Sequence, residues 1–169
     1  MRRFAFAAFL ATALTGPAFA QQMSAQDFVN MAAVGGMFEV QSSELALTKS
    51  QEQAVKDFAQ QMVTDHTAAN ERLMTLASEQ QLTVPSQLDE KHQQRVDTLT
   101  NANAQNFDPV YGQFQVEAHQ EAIQLFETYS QQGDNETLKA FAAETLPTLQ
   151  QHFDKAKTLP GAENAKMTQ

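Results

Sequence analysis

FAQQMVTDHTAANERL, residues 58–73, carries the repeat that decides the fold. Its inward positions alternate in steps of four and three residues, and the repeat extends beyond the segment in both directions. The positions are Val55, Ala59, Met62, His66, Ala69, Leu73 and Leu76. This spacing is typical of a helix that packs along one side against other helices. It predicts a helix over 51–80, with His66 as the only strongly polar group on the buried side.

The same helical period recurs along the chain, and no segment shows the alternation expected of a strand. The pattern predicts further long helices over 25–49, 109–131 and 136–157, and a shorter, half-exposed helix over 86–103. Because the connections are short, neighbouring long helices should run antiparallel. The expected fold is all-α: an up-down-up-down four-helix bundle over 24–159, with the short helix in the connection between its second and third helices.

Capping residues and glycines indicate finer features of these helices. Ser86 is predicted to cap the short helix. Asp108 followed by Pro109 predicts the start of the third long helix, because proline is favoured at the first helical position. Gly35 and Gly36 lie inside the first helix and indicate a close approach by a neighbouring helix.

The first twenty residues have the three regions of a secretory signal peptide. Arg2 and Arg3 precede an apolar run over 4–14, and Ala18-Phe19-Ala20 forms a small-x-small cleavage site. The apolar run is shorter than the roughly 20 residues that a membrane-spanning helix needs. We expect cleavage after Ala20, a periplasmic or secreted location, and no membrane span in the mature chain. At the other end, residues 160–169 are expected to form a disordered tail.

Composition narrows the choice of partners and ligands. The chain has 11 Lys and Arg against 20 Asp and Glu, a net charge of −9, and loss of Arg2 and Arg3 with the leader would make it −11. Nucleic acids and anionic membrane surfaces bind basic patches, so neither is expected as a partner. The chain has no cysteine. A metal ion would therefore need imidazole, carboxylate, thioether or amide ligands.

Three histidines replace apolar residues on three different predicted helices. With a rise of about 1.5 Å per residue, His66, His119 and His152 should lie roughly 22, 20 and 24 Å from the turns at one end of the bundle. They are therefore expected to meet in one layer. Glu39, on the first helix, should lie roughly 17 Å from the same end and is predicted as a fourth group. Such a layer predicts a metal site with these four residues as ligands.

Three further residues are assigned to the surroundings of this site. Asp65 and Glu117 each adjoin one of the histidines in sequence, and they are predicted as hydrogen-bond acceptors that orient the imidazoles. Met62 lies one turn before His66 on the same face, where a methionine is usually core and only rarely a soft ligand. His92, on the short helix, is predicted to lie on the surface and to take no part.

The ligand types favour a single ion. Di-iron carboxylate bundles need Glu-x-x-His on two helices, but the residues three positions before the candidate histidines are Val63, Val116 and Leu149. A di-iron centre is therefore not expected. Three histidines with Glu39 suit one zinc, copper or iron ion. The sequence shows no nucleophile–base pair and no glycine-rich phosphate loop, so no catalytic residue is assigned and an enzyme is the less favoured interpretation.

Several of these segments resemble the domain-of-unknown-function 4142 family, exported bacterial proteins of the ferritin-like superfamily. The cues are FAQQMVTDHTAANERL (58–73), Phe107-Asp108-Pro109-x-Tyr111, VEAHQEA (116–122) and Leu146-Pro147-x-Leu149-x-x-His152. The resemblance covers nearly the whole mature chain. It implies a ferritin-like four-helix bundle and export, but no activity. The metal chemistry of that superfamily does not carry over, because its carboxylate motif is missing here.

Other functions remain open at this point. The protein could be a structural or interaction module of the cell envelope whose histidines are only hydrogen-bonded within the core. A cluster of neutral histidines could also act as a pH switch. A redox or oxygen-dependent enzyme that uses the same ion has only the analogy of fold in its favour.

Overall fold

The computed structural model of the chain describes residues 22–166, so the expected signal peptide lies outside the described residues. Within this part there are helices and turns but no strand. The helices are α1 (Ala25–Lys49), α2 (Gln53–Glu79), α3 (Glu90–Asn101), α4 (Ala104–Gln132) and α5 (Glu136–Ala156), followed by a 3₁₀ helix (Ala162–Asn164). Helices α1 and α2 form one hairpin and α4 and α5 the other, and α1 packs on α4 while α2 packs on α5. The predicted four-helix bundle with an extra helix is confirmed. No described helix combines the length and apolar character that crossing a bilayer requires.

The buried apolar side chains form two clusters, one toward each end of the bundle. One cluster contains Phe28, Leu73, Tyr129 and Leu138, where the rings of Phe28 and Tyr129 stack with centroids 4.1 Å apart. The other contains Ala46, Met62, Tyr111 and Ala156 with their neighbours. Each long helix contributes to both clusters, and each has a buried polar residue between its two contributions. These residues are Glu39, His66, His119 and His152, and we call them the polar layer.

The first helix begins and ends where the sequence predicts. Ser24 caps it by accepting a hydrogen bond from the Asp27 N–H at 3.1 Å. The prediction that Ser86 caps α3 is wrong, because Asp89 is the cap and accepts from the His92 N–H at 2.8 Å. The acidic cap lies next to the first residue of the helix, whereas Ser86 lies in the bend that precedes it.

The predicted start of α4 at Pro109 is also wrong. The helix begins at Ala104, and Asn103 caps it by accepting from the Asn106 N–H at 3.0 Å. The additional turn buries Phe107 completely and stacks its ring on Tyr111, with centroids 6.0 Å apart. Pro109 therefore lies inside the helix, where the burial of an aromatic ring outweighs the backbone hydrogen bond that proline cannot donate.

Residues 160–166 have a defined structure, contrary to the expectation of disorder from residue 160. Gly161 has a φ of +81°, a left-handed conformation that favours glycine, and a Cβ there would lie 2.0 Å from the Pro109 carbonyl oxygen. The Lys166 N–H donates to Glu117 Oε1 at 3.2 Å. This segment folds back onto α4, and residues 167–169 lie outside the described part.

The glycine pair in α1 has two different environments. A Cβ built on Gly36 would lie 1.9 Å from Asn70 Oδ1 on α2, so the close approach indicated by the sequence occurs here. A Cβ on Gly35 would meet no heavy atom within 4 Å among the described residues.

Candidate metal centre

The imidazoles of the polar layer form a nearly equilateral triangle. The ring centroids of His66 and His119 are 5.6 Å apart, and each lies 5.5 Å from that of His152. The side chains come from α2, α4 and α5 and are at most 8% exposed. One ring nitrogen of each histidine lies within 4.8 Å of a ring nitrogen of each of the others. The predicted meeting of three histidines at one level therefore occurs, with separations far below a helix diameter.

Hydrogen bonds set the tautomers of two of these rings. His119 Nδ1 lies 2.8 Å from the Gln115 carbonyl oxygen, which can only accept, so Nδ1 carries the proton. His152 Nε2 lies 2.9 Å from Asp65 Oδ2 and donates to that carboxylate in the same way. His119 Nε2 and His152 Nδ1 are then left as bare acceptors. Neither of these nitrogens, nor His66 Nε2, has a hydrogen-bond partner within residues 22–166.

The three histidines are neutral at pH 7. Burial lowers the pKa of His66 well below its ordinary 6.5, and repulsion from the other two histidines adds to the effect. Burial also lowers the pKa of His119 to about 3. The pKa of His152 is lowered by burial as well, although the charge of Asp65 opposes the shift. His119 Nε2 and His152 Nδ1 are therefore unprotonated, and neutral His66 offers one further lone pair, because a neutral imidazole carries a proton on only one of its two nitrogens. Neutral imidazole is the state that binds metals.

Glu39 completes the polar layer from α1. It is 4% exposed, and burial raises the pKa of its carboxyl from 4.5 to about 8, although Gln115 and the charge of Arg95 oppose the shift. Its Oε1 lies 3.5 Å from His119 Nδ1. The Gln115 side chain is near enough to affect the carboxyl pKa, but its Nε2 donates to Ser42 Oγ, and neither carboxyl oxygen has a partner with hydrogen-bond geometry in the described part of the chain. The carboxyl is thus protonated at neutral pH and lies beside the ring nitrogen of His119 that carries a proton.

The residues predicted around the site have different positions. Asp65 contacts His152 across the α2–α5 interface. Glu117 is wrongly assigned, because its carboxylate faces α3 and pairs with Arg95 at 2.9 Å. Met62 is fully buried in the apolar cluster beside the layer. The surface position predicted for His92 is also wrong, because its ring is 12% exposed and lies 5.4 Å from that of Phe38.

The sequence analysis missed the polar residues that support the layer. Gln115, fully buried, accepts from His119 through its carbonyl and donates through Nε2 to Ser42 Oγ at 3.2 Å. Ser43 and Tyr111 share a hydrogen bond of 2.8 Å nearby. The signal in the sequence was the pair of serines on the buried face of α1 and a glutamine four residues, about one helical turn, before His119.

Fold and site together define a helical-bundle protein with a buried cluster of three histidines. The chain belongs to the family described as Domain of unknown function (DUF4142), whose sequence profile matches residues 11–159. No protein with a curated description matches the chain.

Solved structures with the same fold include three forms of CopM. CopM in the Cu(II)-bound form is 18% identical, with a TM-score of 0.70 over 85% of this chain and 99% of that chain. The Ag-bound form is 19% identical with a TM-score of 0.66, and the Cu(I)-bound form is 17% identical with a TM-score of 0.67. Each of these two covers 80% of this chain and 94% of the other. At such identities the likeness shows the fold.

Proposed function

We propose that the protein binds a single transition-metal ion through His66, His119 and His152, with copper as the preferred ion. The observation that carries the proposal is the convergence of three buried, neutral imidazoles, each with a ring nitrogen that lacks a hydrogen-bond partner within the described residues. Each bare nitrogen in a dry core costs about 1–3 kcal/mol. One ion would satisfy all three at once.

The geometry requires a small contraction on binding. Two imidazole nitrogens on one ion at about 2.0–2.1 Å lie about 3.4 Å apart, whereas the three nitrogens are spread over as much as 4.8 Å. Side-chain rotations that move each ring nitrogen by less than 1 Å toward the centre of the triangle would bring the three nitrogens to this separation. The outer hydrogen bonds to Asp65 and to the Gln115 carbonyl would hold the rings in the required tautomers.

The ligand set supports a borderline or soft ion. Imidazole suits copper, zinc and iron, and calcium and magnesium prefer oxygen ligands. Among divalent ions a nitrogen site binds copper most tightly. The similar structures of CopM hold Cu(II), Cu(I) and silver. Glu39, predicted from the sequence as a fourth ligand, lies outside the group of converging ligand atoms. Its Oε1 lies 3.5 Å from His119 Nδ1, the nitrogen that would face away from the ion, so its proposed role is to accept a hydrogen bond from that nitrogen once a bound ion favours the charged carboxylate.

We further propose that the protein is exported to the periplasm, since the leader over residues 1–20 has the features of a signal peptide. The role that fits this location is metal holding or tolerance in the cell envelope. A buried ion surrounded by apolar clusters is shielded from other ligands, which suits storage or sequestration.

Metal analysis of tag-free protein tests the proposal. Protein lacking residues 1–20 is incubated with Cu(II), Cu(I) or Zn(II), desalted and analysed for metal. We expect about one copper per chain, and loss of at least 90% of it in His66→Ala. The matched control is His92→Ala, which removes a half-buried histidine outside the layer and should retain the metal.

Two results would contradict the proposal. Copper content that is equal in the wild type and in His66→Ala would place the ion elsewhere. Absence of metal from the wild type under all three conditions would favour the envelope module with a purely structural histidine layer.

A further inference from the structure

A cavity of about 390 Å³ lies inside the bundle on one side of the polar layer. Glu39 and His66 line its inner end. The exposed residues of its lining place its mouth between α1, α3 and α4, and they are Met31, Asp89, Lys91 and Glu121. Apolar side chains form most of the wall between these ends. His119 and His152 do not line it, so the cavity adjoins the histidine cluster without containing it.

Small residues from three helices create this space. Gly35, Ala69 and Ala122 line the cavity, and a Cβ on Gly35 would still have no heavy atom within 4 Å in the described structure. Protein interiors are close-packed, with few voids larger than a water molecule. A volume of about 390 Å³ is instead within the range of small-molecule pockets. The cavity is therefore too large to be a packing defect.

A buried polar group provides an anchor at the inner end. Glu39 is 4% exposed, and its two carboxyl oxygens have no hydrogen-bond partner among the residues described. Phe126 and Phe141 line the cavity as well, with ring centroids 5.9 Å apart. The site thus combines an aromatic wall with one hydrogen-bonding position, which is the usual composition of a ligand pocket.

We propose that this cavity binds a small, uncharged aromatic alcohol, whose hydroxyl donates to the Glu39 carboxyl while its ring packs against Phe126 and Phe141. A hydroxyl fits this anchor because the buried carboxyl has no hydrogen-bond partner at either oxygen. In its protonated form it offers a C=O acceptor and an O–H donor, and a hydroxyl can both donate and accept. A charged ligand is disfavoured, because the cation at the mouth, Lys91, is paired with Glu121 at 2.6 Å and the walls are apolar. This binding site goes beyond the proposed metal function and does not depend on it.

Binding of 1-naphthol and naphthalene to metal-free protein tests this inference. Fluorescence titration in the presence of a chelator should show one 1-naphthol per chain, bound at least 10-fold more tightly than naphthalene. Gly35→Leu should weaken 1-naphthol binding at least 10-fold by filling the cavity, and Ala122→Leu should do the same from α4. Met37→Leu is the control, because Met37 lies on α1 but lines a separate surface hollow, and it should bind as the wild type does.

Glu39→Leu tests the hydrogen-bonding anchor. In this variant the affinities for 1-naphthol and naphthalene should lie within about 2-fold of each other. Circular dichroism confirms that each variant is folded before titration. The proposal is overturned if 1-naphthol does not bind, if both cavity-filling variants bind it as the wild type does, or if the preference for the hydroxyl survives in Glu39→Leu. None of these results bears on copper binding, which is measured separately.

Discussion

His152 on α5 donates a hydrogen bond from Nε2 to Asp65 Oδ2 on α2 at 2.9 Å. The two residues are 87 positions apart in sequence, and their contact turns the other nitrogen, Nδ1, toward the polar layer. Nδ1 is one of the three bare nitrogens of the candidate metal centre. A surface-accessible carboxylate thus orients a buried imidazole, and this carboxylate can be replaced without opening the core.

Asp65→Ala should weaken copper binding by about 10–100-fold, because His152 loses the acceptor that sets its tautomer. Competition with a calibrated copper chelator measures the affinity. Asp57→Ala is the control, since Asp57 is exposed on the same helix and bonds only to Gln53 in the described structure. An Asp65→Ala protein with wild-type affinity would show that the hydrogen bond does not orient the ligand.

His119→Leu should separate metal binding from structural stability. In metal-free protein we expect the free energy of unfolding to stay the same or rise by about 1 kcal/mol, since a bare buried nitrogen is replaced by an apolar group. Copper at 100 times its dissociation constant should stabilise the wild type by about 2.7 kcal/mol and leave His119→Leu unchanged. Urea unfolding with and without copper measures both effects. Equal stabilisation of the two proteins by copper would remove His119 from the site.

The metal-free protein should be most stable near pH 6.5. The lowered pKa values of the histidines mean that the unfolded chain binds more protons below pH 6.5, so stability falls as the solution becomes more acidic. The raised pKa of Glu39, about 8 against 4.5, has the opposite sign and reduces stability as the pH rises between these values. Below pH 6.5 the effect of the three histidines on the free energy of unfolding is larger than the opposite effect of Glu39. Above pH 6.5 only Glu39 changes this free energy.

Glu39→Gln isolates the alkaline side of this profile. The wild type should lose up to about 2 kcal/mol between pH 6.5 and 8, at about 1.4 kcal/mol per pH unit, and the variant should be nearly flat there. Urea unfolding at pH 5, 6.5 and 8 in the presence of a chelator provides the data. An equal alkaline decline in both proteins would assign it to another group.

The two neighbouring glycines of α1 should respond differently to alanine. Gly35→Ala should stabilise the protein by about 0.5–1 kcal/mol through helix propensity, because its Cβ meets no described atom within 4 Å. Gly36→Ala should be less stable than Gly35→Ala by about 1 kcal/mol or more, since its Cβ displaces the Asn70 side chain. Asn70→Ala combined with Gly36→Ala should recover the difference. Thermal unfolding of the wild type and these three variants tests this, and equal stabilities of Gly35→Ala and Gly36→Ala would contradict it.

The bundle and its histidine layer were predictable because both depend on regular helical geometry. The four-three repeat around residues 58–73 places His66 inside, and a constant rise per residue brings His119 and His152 to its level. The partners of the acidic residues were not predictable in this way. Asp65 bonds to α5 and Glu117 faces α3, and these contacts depend on how the helices are rotated against one another.

The starts of α3 and α4 were predicted wrongly because the sequence offers two possible capping residues before each helix. Asn103 and Asp108 can each cap a helix, and the burial of Phe107 decides for the earlier one. Ser86 and Asp89 present the same ambiguity before α3. The cavity had no signal in any single segment, because it arises from small residues that three packed helices bring together.

The polar layer also has a consequence for folding. Each long helix places apolar residues on both sides of its member of the polar layer, so sliding a helix by a single turn, about 5.4 Å, would move an imidazole or carboxyl toward an apolar cluster. The same slide would leave an apolar side chain facing the remaining polar groups. Axial misalignment of any long helix would therefore raise the free energy of the folded state. The four polar residues thus select one axial alignment from the several that the heptad repeat alone would permit.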